Sequence, residues 1–210
     1  ANDAVLKADL KTLISLDLPH LSIYGLTIEE KTVFGSWKIQ NKRVFPSDDD
    51  YQRNYRVVHE LLTQQQYEHY EISSFAKDKK FSRHNTSYWL QNPYLGIGPG
   101  AHSYFMGHRY QNAGDYKGYI HQLENVLPTT FKPLDITDFE LYLATRLRYF
   151  QPIFQDDIMR LFGVDGFGQL LPKLTEFSNM GWIELGDDWF MISDTGCVVL
   201  DELLGHLMIE

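Results

Sequence analysis

The sequence predicts an α/β module followed by an α+β module, and three observations predict it. Apolar residues at helical spacing lead through a short loop into an alternating, strand-like run. The charge balance then changes abruptly near Pro133. Beyond that point, three helical patterns precede two strand-like segments around Gly186, Asp187 and Asp188.

Composition narrows the function classes before any motif is considered. Of 210 residues, 43% are apolar, enough for a packed core, and 22% are charged. No apolar run approaches the roughly 18 residues of a membrane span, so none is expected. No signal-type segment opens the chain, and Ala1 stands where an initiator methionine would, so a cut is expected there. Cys197 is the single cysteine. It excludes an internal disulfide, a multi-thiolate zinc site and a cysteine-held iron–sulfur cluster built from this chain, and it fits a reducing, cytoplasmic location. Among Val198, Val199 and Leu200 it reads as a buried, inert thiol.

The first module opens with Leu6, Leu10, Leu13 and Ile14 on one helical face, predicting a helix over residues 3–16. Asp17 and Pro19 stop it, and residues 20–28 alternate as a strand, which together make half of a parallel α/β unit with covered neighbours. Residues 29–46 read as an irregular excursion containing Trp37. Ser47 before Asp48, Asp49 and Asp50 is an N-cap with acids in the first turn, so a helix follows to about Gln66 with Tyr51, Tyr55, Val58 and Leu62 inward. Three successive helical acids point about 100° apart and do not converge on a metal ion. Residues 67–75 read as the next strand. Lys77, Lys79, Lys80 and Arg83 form a basic stretch that reads as a solvated loop or as a holder of phosphate or carboxylate groups. Residues 115–127 predict a helix with Tyr116, Tyr119, Ile120 and Leu123 inward, and Pro128, Thr129, Thr130 and Pro133 break the pattern after it.

Chemistry-bearing residues accumulate between His84 and Tyr104. Gly96, Gly98 and Ala101 match a dinucleotide-binding spacing, with Asp115 beyond, but Pro99 lies inside the turn and no complete βαβ unit surrounds it. His84 and Tyr88, four apart, share a helical face beside Trp89. An imidazole among flat rings can ligate the iron of a planar macrocycle; it can equally be a packed histidine, with Asn85 capping a turn. His102 divides the same way, between a ligand or proton donor and a hydrogen-bonded histidine beside the glycine turn.

Four segments then stand in a recognisable order. HLSIYGLTIE begins at His20, YEISSFA at Tyr70, SRHNTSYW at Ser82 and YLGIGPGAHS at Tyr94. Together they resemble the oxygen-independent coproporphyrinogen III oxidase-like radical-SAM proteins, most closely their haem-chaperone branch. The resemblance implies the C-terminal part of a partial (β/α) radical-SAM barrel over residues 1–133. The cysteine motif that holds a [4Fe-4S] cluster and S-adenosylmethionine would then be supplied upstream in a longer parent. It also implies that His84, Asn85, Tyr88 and Trp89 form a haem-binding motif, with His84 the residue on the iron, and it tips His84 toward the ligand role.

Residues 134–210 carry fourteen acids against four basic residues, a balance of -10 within a chain of net -9. Helices over 138–150, 155–162 and 167–180, strands within 182–192 and a last helix from Ser193 or Thr195 suggest a small winged-helix-like domain, a shape similar to that family's C-terminal domain. Its acidity argues against nucleic acid as a partner. Three functions remain open: a haem-handling parent that passes haem to acceptor haemoproteins, a porphyrinogen oxidase that converts propionates to vinyl groups, and a protein-interaction module acting through the acidic domain. In the second, Lys79, Lys80 and Arg83 would hold substrate carboxylates. A half-barrel with exposed edges would also be prone to associate.

Overall fold

A computed structural model describes residues 3–125 and 138–208. The chain falls into two compact units, Ala1–Ser82 and Arg83–Glu210. The change of charge at Pro133 and its breaker residues lie outside the described residues.

In the first unit the elements follow as α1 (Asp3–Ser15), β1 (His20–Ser22), α2 (Val33–Ile39), α3 (Asp48–Thr63), β2 (Glu68–Glu71) and β3 (Ser74–Ala76). Leu10 of α1, Val58 and Leu62 of α3, Leu21 of β1, Tyr67 and Phe75 form the buried core, with Leu6, Leu13 and Ile14 against it. Burying a side chain such as Leu62 contributes about 1.5–3 kcal/mol. Ser47 caps α3 through a reciprocal pair: its hydroxyl accepts from the Asp50 N–H at 3.2 Å, and its own N–H donates to the Asp50 carboxylate at 3.0 Å. The backbone hydrogen bond from Ser47, then those from Arg53 and the Ser47 hydroxyl, hold the Asp50 carboxyl down at about 2. The three acids therefore begin a helix. On the inner face, Val58 and Leu62 are buried as expected, whereas Tyr55 is half-buried and Tyr51 is exposed.

The strands differ from expectation in extent and direction. β1 ends at Ser22, and the 67–75 run is a hairpin of β2 and β3 turning at Ile72 and Ser73. The sheet order is β1-β3-β2 with both pairings antiparallel, so β1 meets β3 antiparallel where a parallel neighbour was expected. A register shift between His69 and Glu71 accompanies the turn. Residues 29–46 contain α2, capped by Thr32, whose hydroxyl accepts from the Gly35 N–H at 3.1 Å. A Cβ on Gly35 would overlap the carbonyls of Glu29 and Glu30, so glycine permits this tight approach.

The second unit comprises α4 (Arg83–Trp89), β4 (His102–Phe105), β5 (His108–Gln111), α5 (Tyr116–Glu124), α6 (Asp138–Arg146), β6 (Ile153–Phe154), α7 (Gln155–Asn179), β7 (Ile183–Leu185), β8 (Trp189–Ile192), α8 (Asp194–Val198) and α9 (Leu200–Met208). β4 and β5 form a hairpin, while β6, β8 and β7 form an antiparallel sheet in that order. α7 joins two expected helices across a break at Gly163, whose φ of 81° suits glycine. Leu143, Leu147, Ile158, Leu174, Phe190 and Leu203 are buried in this unit, and Cys197 is buried as expected. Asp138, Glu140, Asp156, Asp157, Asp194, Asp201 and Glu202 all lie in first helical turns, where the macrodipole stabilises them. Much of the acidity is thus helix initiation. α5 departs from its expected packing: Tyr116, Ile120 and Leu123 are exposed and Tyr119 is half-buried.

Candidate functional site

In the second unit, α4 places His84 and Tyr88 one turn apart, so their rings meet edge to face with centroids 4.7 Å apart at 78°. Tyr88 in turn stands against Tyr94, 4.5 Å away at 87°. Tyr94 joins the β4–β5 hairpin by a reciprocal backbone pair with Tyr104, 2.8 and 3.0 Å. Tyr104 lies opposite Arg109 on β5, and His102 lies opposite Gln111 two residues along. Opposed residues of antiparallel strands share a face, as do residues two apart. Tyr94, Tyr104, Arg109, His102 and Gln111 therefore occupy one side of the ribbon, continuous through Tyr88 with His84.

The glycine turn is fixed to this face by hydrogen bonds of its own backbone. Asn112, buried, donates from its side-chain amide to the carbonyls of Gly96 at 3.2 Å and Gly98 at 2.9 Å. The Ser103 hydroxyl accepts from the Gly96 N–H at 2.9 Å and the Tyr119 hydroxyl from the Gly98 N–H at 3.1 Å. A Cβ on Gly96 would overlap the His102 carbonyl. Asp115, which the dinucleotide spacing would use, caps α5 through the Gly118 N–H at 2.9 Å.

The sequence-predicted site residues are thus partly brought together. His84 is exposed, and no hydrogen bond engages its imidazole among the described residues. Tyr88 and Trp89 are half-buried; the Trp89 indole nitrogen is sealed from solvent with no hydrogen-bond partner among the described residues. Asn85 is half-buried on the same short helix. His102 is half-buried, and burial, then the charge of Arg109, lowers its pKa. Burial raises the Tyr94 phenol, while Arg109 pulls it down through its charge and a hydrogen bond. Arg109 escaped the sequence reading. Its position opposite Tyr104 depends on the hairpin register, and only the alternation of HSYF and HRYQ about Gly107 hints at it. Chemically the face offers an imidazole to a metal, rings to a flat apolar ligand and a guanidinium to an anion.

The other motif segments meet in the first unit. His20 Nε2 is 2.8 Å from the Tyr70 hydroxyl, which also accepts from the Ser82 N–H at 3.0 Å. Ser22 and Ser74 hydroxyls are 3.0 Å apart, and Glu71 is buried with one carboxylate oxygen unpartnered among the described residues. These polar groups come from HLS and YEISS, strand-like motif segments in which no site residue was expected. Two of the four residues of the basic stretch are paired: Lys77 with Asp17 at 2.6 Å and Lys80 with Asp78 at 3.5 Å. Lys79 is exposed. Among the described residues no group of three or more His, Cys, Asp or Glu could hold a metal ion, and no helix is long and apolar enough to cross a membrane. One buried cysteine does not fit a [4Fe-4S] cluster, which takes three or four thiolates.

No protein-family model matches the chain. It is similar to the haem chaperone HemW of Lactococcus lactis, 35% identical over 116 residues, which are 55% of this chain and 31% of that protein. HemW of Escherichia coli is 45% identical over 94 residues, 45% of this chain and 24% of that one. The mitochondrial radical S-adenosyl methionine domain-containing protein 1 of Danio rerio is 33% identical over 99 residues, 47% of this chain and 22% of that protein. The matched segments thus span about a third or less of these relatives. In fold, the chain is similar to coproporphyrinogen III oxidase (HemN) from Escherichia coli, described as a radical SAM enzyme, with a TM-score of 0.70 at 17% identity. That match covers 95% of this chain and 50% of the other. The resemblance read from the four segments therefore holds in sequence and in fold.

Proposed function

We propose that this chain is the C-terminal part of a haem-handling protein that binds haem on the face led by His84 and delivers it to acceptor haemoproteins. The observation that carries the reading is the exposed imidazole of His84, held by no hydrogen bond among the described residues, at the end of a row of tyrosine rings. The 35–45% identity to proteins named haem chaperones supports it. His84 would ligate the iron, Tyr88 would orient the imidazole and flank the macrocycle, and Asn85 and Trp89 would complete the α4 contribution. The cluster and S-adenosylmethionine would belong to the rest of a longer, cytoplasmic parent. In that parent, residues 1–133 would end a partial (β/α) barrel and residues 134–210 would form a winged-helix-like domain.

Haem titration of this chain, followed by absorbance, tests the reading against His84→Ala. Saturable binding is expected, with the variant weakened by about tenfold or more, equivalent to ~1.4 kcal/mol, and its iron-porphyrin band shifted. An unchanged band and affinity in the variant would overturn His84 as the ligand. Absence of binding to the unaltered chain would overturn a haem site in this part.

A further inference from the structure

Resting on that reading, we infer that Arg109 is the anion-binding residue of the haem face and holds a propionate carboxylate of the porphyrin. Three observations carry it. Register places Arg109 beside Tyr104 and, through the Tyr104–Tyr94 pair, next to the ring row that ends at His84. Arg109 is half-buried, and its Nε is sealed from solvent with no hydrogen-bond acceptor among the described residues. Among the described residues no carboxylate lies within ion-pair distance of it. Arg53, Lys77, Arg148 and Arg160, by contrast, each hold an aspartate at 3.2 Å or closer.

In a chain of net charge -9, a partly desolvated guanidinium left without a carboxylate is an uncompensated cation. Asp138 acts on the Tyr104 phenol after burial, yet among the described residues no ion pair joins it to Arg109. A planar ligand against the tyrosines that carries ionised carboxylates on its rim would supply the missing anion. Guanidinium is suited to this because it stays charged and presents paired donors to a carboxylate. The ligand class is therefore a carboxylated tetrapyrrole, held at its metal by His84 and at its rim by Arg109.

The test compares three probes, haem, metal-free protoporphyrin IX and haem dimethyl ester, on the unaltered chain, Arg109→Gln, Arg109→Lys and His84→Ala. Arg109→Gln is expected to weaken haem and protoporphyrin by about tenfold, leave the ester unchanged and leave the band of bound haem in place. Arg109→Lys should recover part of the loss, keeping the charge without the fork. His84→Ala should weaken haem and the ester but not protoporphyrin. Equal loss of acid and ester in Arg109→Gln, or no loss of either, overturns the propionate role while leaving haem binding intact. Failure of the unaltered chain to bind any probe overturns the haem reading and this inference together. Thermal melts of each variant separate a folding defect from a lost contact, and a melted Arg109→Gln leaves Arg109→Lys to decide: acid-selective weakening sustains the role, and none overturns it.

Discussion

The imidazole of His84 stands edge-on to the ring of Tyr88, with centroids 4.7 Å apart and planes 78° from each other. This follows from a spacing of four on α4, and Tyr88 passes the contact on to Tyr94 at 4.5 Å. An exposed histidine has several rotamers, and an edge-to-face neighbour favours one of them. Tyr88 thus orients His84 and ties α4 to the hairpin that carries Arg109.

Tyr88→Leu removes both ring contacts while keeping an apolar side chain of helical propensity. The pair with His84, the one that orients the ligand, contributes about 0.5–1.5 kcal/mol, so haem affinity is expected to fall by about twofold to tenfold. The absorbance band should keep its position, because His84 remains. A titration in which the variant binds as tightly as the unaltered chain would remove Tyr88 from the site.

His69 sets a pH dependence in the first unit. Its ring stacks on Phe75, 3.9 Å apart at 9°, and its Nδ1 lies 3.0 Å from the Nδ1 of His59. Burial, and then the charge of His59, pushes its pKa from 6.5 down to about 3. The unfolded chain therefore takes up a proton that the folded one refuses, so stability is full above pH 6.5 and declines as pH falls toward 3, by up to about 1.4 kcal/mol per pH unit. Denaturant midpoints measured across that window should show the decline, and His69→Gln should flatten it. A slope unaffected by the substitution would place the acid sensitivity elsewhere.

Elements whose signal is local were legible in the sequence. α1 follows from Leu6, Leu10, Leu13 and Ile14, and the start of α3 from Ser47 and its acids, because helical periodicity and capping act within a few residues. The β2–β3 hairpin was not, because Ile72 and Ser73 turn the chain without glycine, proline or asparagine and the alternation runs on through them. α2 was hidden because its seven residues are too few to show a period. At the site, His84 and Tyr88 were visible as an i, i+4 pair. The Tyr94–Tyr104–Arg109 row was not, because it exists only through strand register. The antiparallel pairing of β1 with β3 was equally invisible, since direction is a property of the sheet.

Tyr70 shows the same dependence on register, and its hydroxyl can be removed alone. The Tyr70 side chain is fully buried, stacks on Phe81 at 4.3 Å and 15°, and carries a hydroxyl shared by His20 Nε2 at 2.8 Å and the Ser82 N–H at 3.0 Å. Burial already lowers the pKa of His20, with the charge of Glu71 opposing. Tyr70→Phe keeps the ring and its stacking but leaves the Ser82 N–H and the His20 nitrogen without that partner. Each such loss in a sheltered setting costs about 1–3 kcal/mol, so unfolding in urea should move to lower denaturant with an unchanged slope. A variant as stable as the unaltered chain would mean that water replaces the hydroxyl, and that this polar face of the sheet is open to solvent rather than closed over its own hydrogen bonds.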